Sequence, residues 1–383
     1  MVRRPCTHRA SQCAQACAPT WRKNFAPETD FVHDRGQAPV FRNDPSRGTT
    51  LRLWRARKSR FAKGLQRLDA ARAREVLRGG KFARAVGSAL ALRVTLPRRP
   101  PPGLARGLPS ERGTKNGKIV SVFLFGVGLA GASLCALLLW VYRHQEALIF
   151  HPDPLPQGYV YDLPEVTEIT VAVDGAELSA LHLRLPAAKG IVFYLHGNAG
   201  NLASWFADTS VYRHTNFDLF MLDYRGYGKS TGRIRSEEQL HCDAAAAWRR
   251  ISAQYEGRRK VIVGCSLGSA LAARLAVQVR PDLTVLISPY WSMTELARLH
   301  FFSWMPVRFM RYRLETFRDV ARIDGPVLLM HGERDALIPV THSVQLQALA
   351  RSAQLIRIAG AAHNDVEDFA EYRRGFSERL AAL

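Results

Sequence analysis

The stretch KVIVGCSLGSALAARLAVQV, residues 260–279, reads as a strand that turns through Gly264-Cys265-Ser266-Leu267-Gly268 into a helix. After Lys260 it opens on an apolar run, Val261 to Gly264, as in a strand covered on both faces. Two glycines flanking the turn let strand and helix approach closely. Ser266 can then occupy a strained backbone position at the head of the helix, where the N-terminal dipole favours negative charge. G-x-S-x-G alone recurs by chance, but a strand before it and a helix after it are the context a nucleophilic serine requires.

Outward from this stretch, β-rich runs alternate with helical ones: EITVAV (168–173), LSALHLRL (178–185), IVFYL (191–195), LFMLDY (219–224), TVLIS (284–288), PVLLM (326–330) and QLIRI (354–358). With KVIVG they make eight. Helical segments at 237–252 and 267–279 lie between them, which predicts an α/β fold: a mainly parallel eight-stranded sheet with helices on both faces. The first two runs have no helix between them and are expected to pair as an antiparallel edge.

A serine hydroxyl needs a base, and the base needs a carboxylate to fix its tautomer. After PVLLM the chain reads HGERDALIP, which places Asp335 in a loop at the carboxyl end of a strand; after QLIRI it reads AGAAHND, which does the same for His363. The order Ser266, Asp335, His363 is the one this architecture uses. Glu333 and Asp365 are the alternative acids, and His196 and His331 read as residues that shape their loops. Two donors are needed for a tetrahedral oxyanion, and the backbone N–H groups of Leu267 and Asn198 are the candidates, Asn198 lying in the loop HGNAGN (196–201) after IVFYL. That loop lacks the G-K-[ST] of a phosphate loop, and its glycines match no dinucleotide fingerprint.

HGNAGN, DYRGYGKS (223–230), GCSLG, HGERDALIP and GAAHND together resemble the membrane-associated α/β-hydrolases, which include bacterial YfhR-type proteins and eukaryotic lysophospholipase and depalmitoylase relatives. The resemblance runs from about Leu148 to the C-terminus. It implies a serine esterase or thioesterase acting on acyl lipids or acylated proteins, with no cofactor and no metal. The chain departs from the usual pattern at Ala362, where glycine commonly precedes the histidine, and at Cys265; neither change removes a reacting group. A prolyl-oligopeptidase-like serine peptidase uses the same residue order, and a catalytically silent, membrane-tethered binding protein is the alternative outside enzymes.

The N-terminal third differs in composition. Through Lys118 there are 27 Lys and Arg against 7 Asp and Glu, whereas the remainder is close to balance. The formal charge of +21 therefore belongs to an Arg-rich leader (1–118), expected to be disordered or to reflect an upstream start, and the globular part has no basic stripe that would suit nucleic acid. IVSVFLFGVGLAGASLCALLLWVY (119–142) carries no charge and is long enough for a transmembrane helix. Arg98, Arg99, Arg106, Arg112, Lys115 and Lys118 precede it and only Arg143 closely follows, so the N-terminus is expected to be cytoplasmic, with the hydrolase domain (145–383) on the far side, in a periplasm or lumen. The six cysteines show neither a disulfide framework nor zinc spacing.

Between TVLIS and PVLLM, the segment at about 289–323 is rich in Phe, Trp, Met and Arg and is expected to cap the site. Its Arg308, Arg311, Arg313 and Arg318 fit either a rim for anionic headgroups at a lipid bilayer or an ordinary amphipathic helix with solvated charges. Oligomeric state is left open.

Overall fold

The computed structural model describes residues 112–300 and 307–383, with side chains from Val120 onward. Most of the basic leader, and residues 301–306 of the expected cap, lie outside the described residues. In chain order the elements begin with helix α1 (Arg112–Arg143), helix α2 (Gln145–Ile149), strands β1 (His151–Pro152), β2 (Val166–Val173), β3 (Ala176–Leu183), β4 (Gly190–Leu195) and β5 (Ala199–Gly200). Then come α3 (Leu202–Trp205), α4 (Ser210–Thr215), β6 (Phe217–Leu222), α5 (Glu237–Ser252), β7 (Arg259–Cys265), α6 (Leu267–Val279), β8 (Leu283–Ile287) and α7 (Met293–His300). The chain ends with α8 (Thr316–Val320), β9 (Val327–Gly332), α9 (Thr341–Leu349), β10 (Ala353–Ile358) and α10 (Ala370–Ala381).

Eight strands form one sheet in the order β10-β9-β8-β7-β4-β6-β3-β2, and each corresponds to one of the apolar runs. β3 runs antiparallel to both its neighbours, β2 and β6; every other pairing is parallel. Burial follows position. β4, β6, β8 and β9 are buried at every residue, whereas β2 and β10, at the two edges, are not.

Alternation along the central strands divides the core into two layers. Ile191, Phe193 and Leu195 of β4 pack with Leu240 and Trp248 of α5, Leu271 of α6 and Leu346 of α9. Val192 and Tyr194 face the other way, towards Tyr212 of α4 and Tyr372 and Phe376 of α10. Successive strand residues point to opposite faces, so a strand buried throughout needs helices on both.

Local signals set the helix ends. Ser236 caps α5 by accepting from the Gln239 amide, with Glu237 and Glu238 in the first turn and Arg249 and Arg250 in the last, each sign complementing the helix dipole. The apolar run sits in α1, whose helix starts earlier than the uncharged stretch; within it Val120–Arg143 is long and apolar enough to cross a bilayer. Its residues are exposed on all sides, Val122 and Phe125 to more than seven-tenths.

Candidate active site

Because the central strands are parallel, their carboxyl ends lie along one edge of the sheet, where open α/β sheets handle ligands. The registers Leu195↔Gly264, Cys265↔Ile287, Ile287↔Met330 and Gly332↔Ile358 bring the ends of β4, β7, β8, β9 and β10 together. Ser266 follows directly on one of those ends, and Asn198, Asp335 and His363 lie in the loops that leave the others.

Ser266 adopts φ 49° and ψ −115°, a conformation L-residues rarely take, and it is held there from both sides. Its N–H donates to the Ile287 carbonyl at 2.9 Å. Its carbonyl accepts from the Ser269 hydroxyl at 2.6 Å. The turn is this tight because Gly268 packs its backbone against the end of β4: a Cβ there would overlap the Leu195 carbonyl and come within 2.7 Å of the His196 oxygen. Gly264 is equally confined, by the Gly268 carbonyl and the Ala272 methyl.

The three expected groups meet. The Ser266 hydroxyl lies 3.0 Å from His363 Nε2, positioned to donate to it. On the opposite side of the ring His363 Nδ1 donates to Asp335 Oδ2 at 2.7 Å. The other oxygen, Oδ1, accepts from the N–H groups of Leu337 (2.9 Å) and Ile338 (2.7 Å). Burial works against the Asp335 charge, but hydrogen bonds from His331 and His363 and the Ile338 amide outweigh it and hold the carboxyl well below its ordinary range. Asp335 is therefore an ionised acceptor, which fixes the proton of His363 on Nδ1 and leaves Nε2 free to accept.

The alternative acids are engaged elsewhere. Glu333 pairs with Arg357 at 2.9 Å, and Asp365 accepts from the Ala362 amide at 2.6 Å. His331 is fully buried, with Nδ1 on the Ser343 hydroxyl and Nε2 on the Ile338 carbonyl, each at 2.7 Å, so it shapes the Asp335 loop.

The loop after β4 passes close over the serine: a Cβ on Gly197 would lie 3.7 Å from that of Ser266. His196, at the base of the loop, is buried beside Asp223 (3.4 Å) and stacks near Trp205. Burial raises the Asp223 carboxyl above its usual range, although His196 and the Leu202 amide pull it down. Tyr224 and Tyr227 donate their hydroxyls to the carbonyls of His196 and Asn198, each at 2.7 Å. Leu267 is the first residue of α6, so its N–H has no intrahelical acceptor and remains available beside Ser266.

The segment after β8 borders the site. Tyr290 donates to the Leu267 carbonyl at 3.3 Å, the Trp291 amide donates to His342 at 3.0 Å, and His300 at the end of α7 bonds the Leu337 carbonyl at 2.7 Å. Its Arg308, Arg311, Arg313 and Arg318 are exposed: Arg311 reaches across to Glu146, while Arg318 pairs with Glu315 at 2.7 Å and Arg308 lies over the Phe309 ring, both within the segment itself. The sequence reading missed one feature. β1, from the peptide following α2, pairs in parallel with β5 of the HGNAGN loop. Two-residue strands carry no periodicity that would have announced them.

A family model described as "alpha/beta hydrolase fold" matches residues 190–323. Uncharacterized protein Rv2307c of Mycobacterium tuberculosis is 32% identical over 255 residues, which cover 63% of this chain and 88% of that protein. Alpha/beta hydrolase domain-containing protein 17B of Xenopus laevis is 30% identical over 217 residues, covering 54% of this chain and 72% of that protein. Among solved structures, a Pyrococcus furiosus esterase superimposes with a TM-score of 0.50 at 18% identity, over 61% of this chain and 97% of that one, a likeness in fold.

Proposed function

The chain belongs to the α/β-hydrolase family, and from that premise we propose that it is a membrane-anchored serine hydrolase cleaving carboxylic esters or thioesters of acyl lipids or acylated proteins. The observation that carries this reading is the unbroken hydrogen-bonded path from the Ser266 hydroxyl through His363 to the buried, ionised Asp335. The domain division that accompanies it is a leader (1–118), a membrane helix (119–142) and a hydrolase domain (145–383) with a cap at about 289–323.

His363 Nε2 takes the Ser266 proton as the oxygen attacks the acyl carbonyl, and the Asp335 carboxylate stabilises the imidazolium that results. The oxyanion is held by the N–H groups of Leu267 and Asn198, worth about 3 kcal/mol of barrier apiece. His363 then protonates the leaving alcohol or thiol. Water, deprotonated by the same nitrogen, releases the acid and restores the serine. Positive φ at Ser266 suits this chemistry, since it lifts the hydroxyl away from the helix it begins.

The apolar α1 favours substrates that reside in a bilayer, and the excess of basic residues before it favours a cytoplasmic N-terminus. The test is turnover of p-nitrophenyl esters and acyl thioesters of graded chain length by the full chain in detergent, beside Ser266→Ala. Ser266-dependent turnover supports the reading. Folded protein that neither turns over nor reacts with a fluorophosphonate refutes it in favour of a binding protein.

A further inference from the structure

The peptide leaving the apolar helix is built into the active-site wall. Between α1 and α2 stands only His144, and the join is hydrogen-bonded through it: its N–H and Nδ1 both reach the Trp140 carbonyl, at 3.0 and 2.8 Å, and its own carbonyl accepts from Leu148 at 3.2 Å. The side chain of Gln145 is buried and engaged in both senses with the segment after β8. Its Nε2 donates to the Phe309 carbonyl at 3.2 Å and its Oε1 accepts from the Arg311 amide at 2.8 Å. Glu146 accepts from Tyr312 at 2.8 Å and pairs with Arg311, and Phe150 packs edge-on against the Tyr312 ring at 5.1 Å.

The other end of this strap holds the HGNAGN loop. Asn198 Nδ2 donates to the Ile149 carbonyl at 3.1 Å, and the His151 N–H donates to the Asn198 carbonyl at 2.9 Å, so Asn198 is gripped through its side chain and its backbone. The pairing continues through His151↔Ala199 and Pro152↔Gly200. Asn201 Nδ2 then donates to the Asp153 carbonyl at 2.8 Å, and the Leu155 amide to that of Gly228 at 2.8 Å.

We propose that residues 145–155 are a positioning element of the active site: the strap fixes Asn198 through its side chain and carbonyl, and with that residue its N–H, the second oxyanion donor, and Gln145 locks the strap to the cap. This rests on the serine-hydrolase reading. Loops are ordinarily the mobile part of such a site, and an oxyanion donor acts only when it is held in place before charge develops. A loop gripped by a strand of the anchor segment meets that requirement.

Asn198→Ala keeps the backbone N–H and removes the side-chain tie to Ile149. Gln145→Ala cuts the strap from the cap without touching the loop, and Tyr227→Phe removes the remaining side-chain donor to the Asn198 carbonyl with almost no change in shape. Each is assayed in the full chain in detergent for kcat, KM and inhibition by a trifluoromethyl ketone, whose adduct places a charged oxygen where the oxyanion forms. The expected result for Asn198→Ala and Gln145→Ala is a fall in kcat of about tenfold with KM little changed, and weakening of the ketone by the same factor as kcat/KM. Tyr227→Phe follows the same line with a smaller loss. Ser266-dependent turnover that stays at the wild-type level in Asn198→Ala and Gln145→Ala, or that falls without a matching loss of ketone affinity, overturns the positioning role. Turnover that survives Ser266→Ala instead refutes the hydrolase reading beneath it.

Discussion

Gly268 and Leu195 meet backbone to backbone, with no room between the α6 N-terminus and the end of β4 for a single methyl group. Neither side can yield, since one is a helix turn and the other the C-terminal residue of the central strand β4, buried throughout. Gly268→Ala is therefore expected to cost about 3 kcal/mol and to displace both Ser266 and the loop after β4. Thermal unfolding and fluorophosphonate labelling of the variant read the two effects. Gly126→Ala, where nothing lies within 4 Å of the added methyl, leaves both unchanged.

Replacing Asp335 by Asn keeps the shape of the site but turns an acceptor into a group that can present N–H to His363 Nδ1. The ring is then driven to the tautomer that cannot accept from Ser266. Ester turnover is expected to fall by about 10⁴-fold in kcat, with far less change in KM, while the protein remains folded by circular dichroism.

His182 supplies a dependence of stability on pH that is separate from catalysis. It is buried in the sheet, bonded to Tyr255 at 2.7 Å, and burial holds its imidazole down to about 4 from 6.5, against the pull of Asp218 and with the help of Arg184. Between those values the unfolded chain binds a proton that the folded chain does not, so stability is full above pH 6.5 and declines as pH falls towards 4. The decline attributable to this group is about 3 kcal/mol at most. Melting temperatures of the wild type and His182→Gln across pH 4 to 7 should show the flatter profile in the variant. Parallel profiles would exclude His182 as the source.

Arg225 and Asp243 form a buried two-pronged pair, at 2.6 and 2.8 Å, that ties the loop after β6 to α5. Removing only the acid strands a buried guanidinium, so Asp243→Ala is expected to cost about 3–5 kcal/mol. Arg225→Met combined with Asp243→Leu, which removes both charges, is expected to lie much closer to the wild type in denaturant unfolding.

The residues that were legible in advance are those whose role imposes a local pattern. Buried parallel strands need near-continuous apolar runs, and so β4, β7, β8 and β9 stand out in the sequence. The turn at Ser266 needs glycines two residues to either side. Asp335 and His363 could be picked from among many acids and twelve histidines because each lies in the loop leaving a strand that ends at the same edge. What could not be read is pairing between distant segments that carry no periodicity. Nothing in His151-Pro152 or Ala199-Gly200 predicts that they lie side by side, and the two-way bond of Gln145 to Phe309 and Arg311 spans more than 160 residues. The pairing of Arg311 with Glu146 could not be read either, because the acid lies in a distant part of the chain.

Ile149 is the sixth residue after Arg143, and all but one of the intervening residues are helical, so about 9 Å of rise separates the end of the apolar helix from the first residue that touches Asn198. There is no leash. With that helix seated in a bilayer, as the proposed function has it, Ser266 would be held close to the surface instead of ranging through the water on a flexible tether. On the proposed reading, in which the substrate too resides in the bilayer, the two would meet by lateral diffusion in a plane, and turnover would follow how densely the surface is populated with substrate, not how much is present in the bulk.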